Sequence, residues 1–133
     1  MKSEAFARYP DYRLSIEPAP GRIRGLLGGR AVVESDRALV VLETDHAAIY
    51  YFPRDDVAMG LLEPTPRRTH CPFKGDASYW NVRAGDRLAE SAVWSYEEPY
   101  DQVAELKGLV AFYWDRLDGW SLDGRPLDAP ARA

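Results

Sequence analysis

From residue 22 to residue 127 the chain is a succession of short β-branched and aromatic runs, most of them ending at residues suited to a tight turn. Residues 38–43 read ALVVLE and residues 48–52 read AIYYF, compositions that fit a pleated, half-buried surface better than a helix. Gly28-Gly29, Ala84-Gly85-Asp86 and Asp123-Gly124 are hairpin signals, because such residues tolerate positive φ. Strands are expected over 12–17, 22–27, 31–34, 38–43, 48–52, 78–83, 87–96 and 109–114, with a hairpin over 120–127. One helix is expected near residues 99–107: Glu98-Pro99 suits its start, Val103 and Leu106 share a face, and Gly108 stops it. Residues 54–66 read as a connection closed by Pro64 and Pro66. The expected fold is therefore mainly β, a compact barrel- or sandwich-like single domain of about seven to eight short strands with one short helix. Strands and helices do not alternate, which argues against a doubly wound nucleotide-binding sheet.

At 133 residues the chain fits one domain. Residues 1–20, with Pro10, Pro18 and Pro20, read as an N-terminal arm, 21–127 as the β-rich domain, and 128–133 as a flexible C-terminal tail. Four Trp, eight Tyr and four Phe supply a core and exclude general disorder. No apolar run approaches the ~18 residues of a membrane span, and the charged first twenty residues lack the apolar region of a signal peptide. A single cysteine, Cys71, forms no internal disulfide, so a cytoplasmic location is expected. Net charge is −4; the basic pair Arg67-Arg68 has acids on both sides, so nucleic-acid binding is disfavoured. With only His46, His70 and Cys71 as soft ligands, no metal site is expected. No motif names a cofactor, since Walker-type loops, GxGxxG, GxSxG and HExxH are all missing.

Chemistry concentrates in residues 69–80, THCPFKGDASYW. Pro72 and Gly75 suggest a shaped loop, where reactive groups are commonly mounted. Lys74 would favour a Cys71 thiolate, or hold an anionic group beside the Gly75 amide. His70 suits proton transfer near neutrality, with Cys71 or Asp76 as nucleophile or base. The structural alternative makes Cys71 a small buried apolar residue, His70 an anchor and Lys74–Asp76 a surface pair. Residues 112–120 form a second cluster in which Asp115 and Arg116 follow an aromatic strand. A guanidinium there suits a carboxylate or phosphate, although local pairing is the simpler reading. In residues 92–99, Trp94 and Tyr96 share a face and either wall a pocket or fill the core.

THCPFKGDASYW, with YYFPRDDV upstream and AVWSYEEP and AFYWDRLDGW downstream, resembles the small bacterial and fungal family catalogued as domain of unknown function 427. The resemblance runs from about Tyr12 to Trp120 and implies a compact β-rich domain without an agreed activity. Its blocks fall on His70, Cys71, Lys74, Asp76, Tyr79, Trp80, Trp94, Tyr96, Trp114, Asp115 and Arg116. A nucleotidyltransferase label attached to the family is disfavoured, because no Asp-x-Asp metal pair follows Gly28-Gly29.

Two functional readings compete. In the first, a pocket protein or small enzyme binds a polar or anionic small molecule: Lys74 and Arg116 hold its polar end, and Tyr79, Trp80, Trp94, Tyr113 and Asp115 complete the wall. His70, Cys71 and Asp76 are then the catalytic candidates. In the second, the same residues scaffold a noncatalytic interaction module. A homodimer through an exposed sheet edge is compatible with both.

Overall fold

Gly28 and Gly29, at φ 59° and 77°, reverse the chain between β2 (Ile23–Leu27) and β3 (Arg30–Ser35), in left-handed backbone that glycine adopts at little cost. The computed structural model describes residues 1–128. Its other strands are β1 (Leu14–Pro18), β4 (Leu39–Glu43), β5 (Ile49–Phe52), β6 (Leu62–Cys71), β7 (Gly75–Ala84), β8 (Arg87–Tyr96), β9 (Val110–Phe112), β10 (Gly119–Leu122) and β11 (Arg125–Pro126). Two antiparallel sheets result, a larger one in the order β1-β4-β5-β9-β8-β7-β6 and a smaller one in the order β11-β10-β2-β3. No barrel closes, because β1 and β6 are free edges of the larger sheet.

The larger sheet buries both faces. One packs on the smaller sheet: Ile23, Leu27 and Val33 share a core with Phe52, Val82 and Val93. Trp120 stacks on Trp114 at 3.8 Å and on Phe52 at 5.9 Å. The other face carries Val41, Tyr51, Ala77, Tyr79, Trp94, Tyr96 and Ala111, with Val103 and Leu106 in the same cluster and Phe6, Leu14 and Ile16 packed against it. The buried tyrosines therefore concentrate on the second side, while aliphatics, phenylalanines and most of the tryptophans fill the first.

Three expectations need correction. The strands number eleven among the described residues, rather than seven or eight. The main omission is β6, hidden by Pro64 and Pro66; an edge strand tolerates proline because half its amides have no ladder partner. The 99–107 segment is a 3₁₀ turn over Asp101–Leu106, broken at Val103 (φ −125°, ψ 34°). Two apolar residues three apart fit either helix type. Residues 69–76 are the tip of the β6–β7 hairpin rather than a free-standing loop, with Cys71 paired to Gly75.

Of the first twenty residues, 14–18 join the larger sheet as β1. A short helix, α1 (Ala5–Arg8), precedes β1, which pairs with β4. Of the expected C-terminal tail, residues 129–133 lie outside the described residues. Among the described residues no helix is long and apolar enough to cross a membrane.

Candidate functional site

Strand alternation divides the 69–80 block between the two faces of the larger sheet. His70 pairs with Asp76 across the hairpin, and Nδ1 lies 2.7 Å from the Asp76 carboxylate with both side chains more than half exposed. Cys71 points the other way, into the tyrosine-rich face. Trp80 joins the aliphatic core, under the Arg54 guanidinium at 5.2 Å. His70 and Cys71 therefore face opposite sides of the edge strand β6.

At the hairpin tip, the Lys74 amide donates to the Cys71 carbonyl and the Lys74 carbonyl accepts from the Tyr100 amide. This clamp folds the lysine side chain inward. Its Nζ donates to Glu43 Oε1 at 2.6 Å, and both side chains are more than nine-tenths buried. The Tyr12 hydroxyl donates to the other Glu43 oxygen. Phe73 stacks on the Tyr12 ring at 3.9 Å, and Phe6 meets Phe73 edge-on at 4.9 Å. The Ser3 hydroxyl donates to the Pro72 carbonyl. The N-terminal segment therefore grips the hairpin tip, and a cleft of about 680 Å³ beside it is lined by Tyr12, Leu14 and Glu43, among others.

Below this triad the face is phenolic. Burial, then the bond to Glu43, push the Tyr12 phenol well above its ordinary value. Burial does the same for Tyr51 and for Tyr96, so all three remain protonated donors. Trp94 Nε1 makes a long contact to the Tyr51 hydroxyl at 3.4 Å. Tyr96 differs from its neighbours. It is only 7% exposed and its hydroxyl has no hydrogen-bond partner among the described residues, although Tyr51, Cys71, Tyr79 and Glu43 surround it electrostatically. No fully enclosed side-chain oxygen or nitrogen there lacks a partner, so the Tyr96 oxygen retains some accessible surface.

Two bulges shape the far end of the face. Between Pro64 and Arg68, three residues of β6 oppose Tyr79 alone, and the Thr65 hydroxyl donates to the Tyr79 carbonyl at 3.1 Å. Between Val82 and Trp80, three residues of β8 oppose Asn81. Ser91 takes φ 49° there, with its amide held by the Asn81 side chain. Bulges commonly re-aim side chains near functional sites. Here the Arg67 guanidinium lies 4.5 Å over the Tyr79 ring, and Tyr113 packs on Trp94 at 4.7 Å. Arg116 donates to the Glu90 carbonyl freed by the second bulge, at 2.9 Å. Asp115 is exposed in the 3₁₀ turn Trp114–Arg116.

The structure thus gathers Cys71, Lys74, Tyr79, Trp94 and Tyr113 on one face, and leaves His70, Asp76 and Trp80 on the opposite one. Lys74 and Arg116 do not share a concavity: Gly75 and Asn81, which mark their levels on β7, are about 20 Å apart at the usual strand rise. Glu43 and Tyr12 escaped the sequence reading, although Glu43 carried a signal. It stands in phase with the buried Val41, an acid on the apolar side of a strand. Tyr12 carried none, since its partner is 31 residues away. Among the described residues no three His, Cys, Asp or Glu gather closely enough to hold a metal ion.

A sequence profile of the family described as "Domain of unknown function (DUF427)" matches residues 15–123. The chain belongs to this family. The match includes Glu43, Cys71, Lys74, Tyr79, Trp94, Tyr96, Tyr113 and Arg116, so most of the DUF427 face described above lies within it. Tyr12 and the rest of the N-terminal grip fall outside the matched span. A search of curated proteins finds no match to the chain.

Proposed function

We propose that the tyrosine-rich face binds a small polar molecule, with the Tyr96 hydroxyl as a principal contact. The observation that carries this reading is the unpartnered Tyr96 hydroxyl on a face where the neighbouring Tyr12, Tyr51 and Tyr79 hydroxyls are engaged. The hydroxyl is not sealed from solvent, so its donor is available to an acceptor on a ligand. Near Tyr96 the Lys74 charge is already matched by Glu43, so this end suits an uncharged polar group rather than the anion expected from Lys74 alone. Cys71 supplies the same face with a nucleophile, and Lys74, Tyr79, Trp94 and Tyr113 complete its wall. His70 and Asp76, across the sheet, have no part in this site.

An untargeted metabolite thermal-shift screen tests the proposal, repeated with Tyr96→Phe. The hydroxyl makes no hydrogen bond among the described residues, so Tyr96→Phe is expected to keep the unfolding midpoint and lose the ligand-induced shift. A hit whose shift persists in Tyr96→Phe would remove Tyr96 from the site.

The second reading, a noncatalytic interaction module, is favoured by one observation: Lys74 is locked to an acid, as a scaffold would hold it. A screen without hits, together with a stable partner complex disrupted by Tyr113→Ala, would support that reading instead.

A further inference from the structure

We infer that the Tyr113 end of the tyrosine-rich face holds the anionic group of a planar ligand, between the guanidiniums of Arg67 and Arg116. This rests on the reading that the face binds a small molecule, and it adds where the ligand's charge and ring lie.

Among the described residues, several arginines of this acidic chain are neutralised by a nearby acid, and others are not. Arg22, Arg37, Arg54, Arg83 and Arg87 each meet a carboxylate. Arg67 and Arg116 have no carboxylate partner among the described residues. Each is nonetheless held in place. Arg67 lies over the Tyr79 ring, an arrangement favoured by the ring's negative face, and Arg116 is anchored by one N–H to the Glu90 carbonyl. A guanidinium carries five donors, so both keep most of their fork for a ligand.

Tyr113, 37% exposed, is tilted against Trp94, the cross-strand partner of Tyr79, and its carbonyl accepts from the Arg116 amide. Burial and the Tyr79 hydroxyl raise the Tyr113 phenol, while Arg67 and Arg116 both pull it back. The two cations therefore act on one phenol from separate elements. An exposed ring beside two oriented forks matches a carboxylate or phosphate on an aromatic ring, because guanidinium binds two oxygens at once and an aromatic side chain offers a stacking surface. Arg67 lies in the β6 bulge, and Arg116, in the 114–116 turn, reaches the Glu90 carbonyl within the β8 bulge.

The test is equilibrium binding of phenyl phosphate, benzoate, phenol and inorganic phosphate at low salt, followed by titration calorimetry. Phenyl phosphate and benzoate are expected to bind, with phenol and inorganic phosphate at least about tenfold weaker. Arg67→Ala and Arg116→Ala should each weaken phenyl phosphate about tenfold, while Arg30→Ala, in the β2–β3 turn, leaves it unchanged. These side chains are exposed, and far-ultraviolet circular dichroism checks that each variant stays folded. Equal binding of phenol and phenyl phosphate, or wild-type affinity in both Arg67→Ala and Arg116→Ala, would overturn the inference. A screen hit lost in Tyr96→Phe but untouched by either arginine substitution would overturn this inference and leave the broader binding proposal standing. Absence of both hits and probe binding would end the two together.

Discussion

Lys74 Nζ lies 2.6 Å from Glu43 Oε1, with the two side chains only 8% and 7% exposed. The pair joins the tip of the β6–β7 hairpin to the end of β4 and carries Tyr12 as a third member. Buried pairs of this kind gain little over well-packed apolar residues, yet breaking one is expensive.

Lys74→Met is therefore expected to destabilise the protein by about 3–5 kcal/mol, because it strands the Glu43 carboxylate. Lys74→Met combined with Glu43→Leu should recover most of that loss. Urea denaturation of both variants checks the prediction, and a double variant no better than the single one would show that the ion pair itself stabilises the fold.

Tyr12→Phe keeps the ring stacked on Phe73 and removes one donor to a charged acceptor. A loss of about 1.5–3 kcal/mol is expected, read as a lower denaturation midpoint. An unchanged midpoint would mean that Glu43 finds water in the adjoining cleft at no cost.

Gly75 takes φ 117°, and a Cβ there would lie 3.3 Å from the Glu98 carbonyl oxygen. Gly75→Ala should cost more than about 1 kcal/mol, since alanine must enter a backbone region it disfavours. The hairpin tip would shift with it, and amide exchange at Lys74 and Tyr100 should quicken before the rest of the sheet responds.

Asp56 accepts from Arg37 and Ser35, and these contacts hold its carboxyl below the ordinary value of 3.8. A depressed folded-state pKa contributes stability that is complete above 3.8 and is lost as pH falls through the folded value. Asp56→Asn should therefore show a shallower fall in stability than wild type between pH 5 and pH 2, about the range where a depressed carboxylate titrates. Parallel curves would exclude Asp56 as a source of the acid sensitivity.

His70 and Cys71 are chain neighbours on opposite faces. Alkylation of Cys71 by iodoacetamide should accordingly proceed in His70→Ala at a rate within about twofold of wild type, because a strand sends adjacent side chains apart. A large drop would place the imidazole beside the thiol and contradict the sheet register.

The legible part of the fold was the part encoded locally. The β-branched runs and the turns at Gly28-Gly29, Gly85 and Asp123-Gly124 announce a strand-rich chain, because side-chain shape and permitted φ act over a few residues. The profile match over residues 15–123 agrees with the family read from the CPFKG block. Strand β6 was lost to its prolines, which are harmless only because β6 is an edge, and edge position is a property of the whole sheet.

Sequence alone determined that this chain would be a β-rich member of its family, with reactive residues crowded into positions 69–80. Tertiary structure decided which of those residues meet. Alternation about the hairpin separated His70 and Asp76 from Cys71. Partners far along the chain did the rest: Glu43 took the Lys74 charge, Arg67 came to lie over the Tyr79 ring, and Arg116 reached the Glu90 carbonyl at a bulge. Such pairings depend on strand order and register, which long-range packing selects and no short stretch of sequence contains.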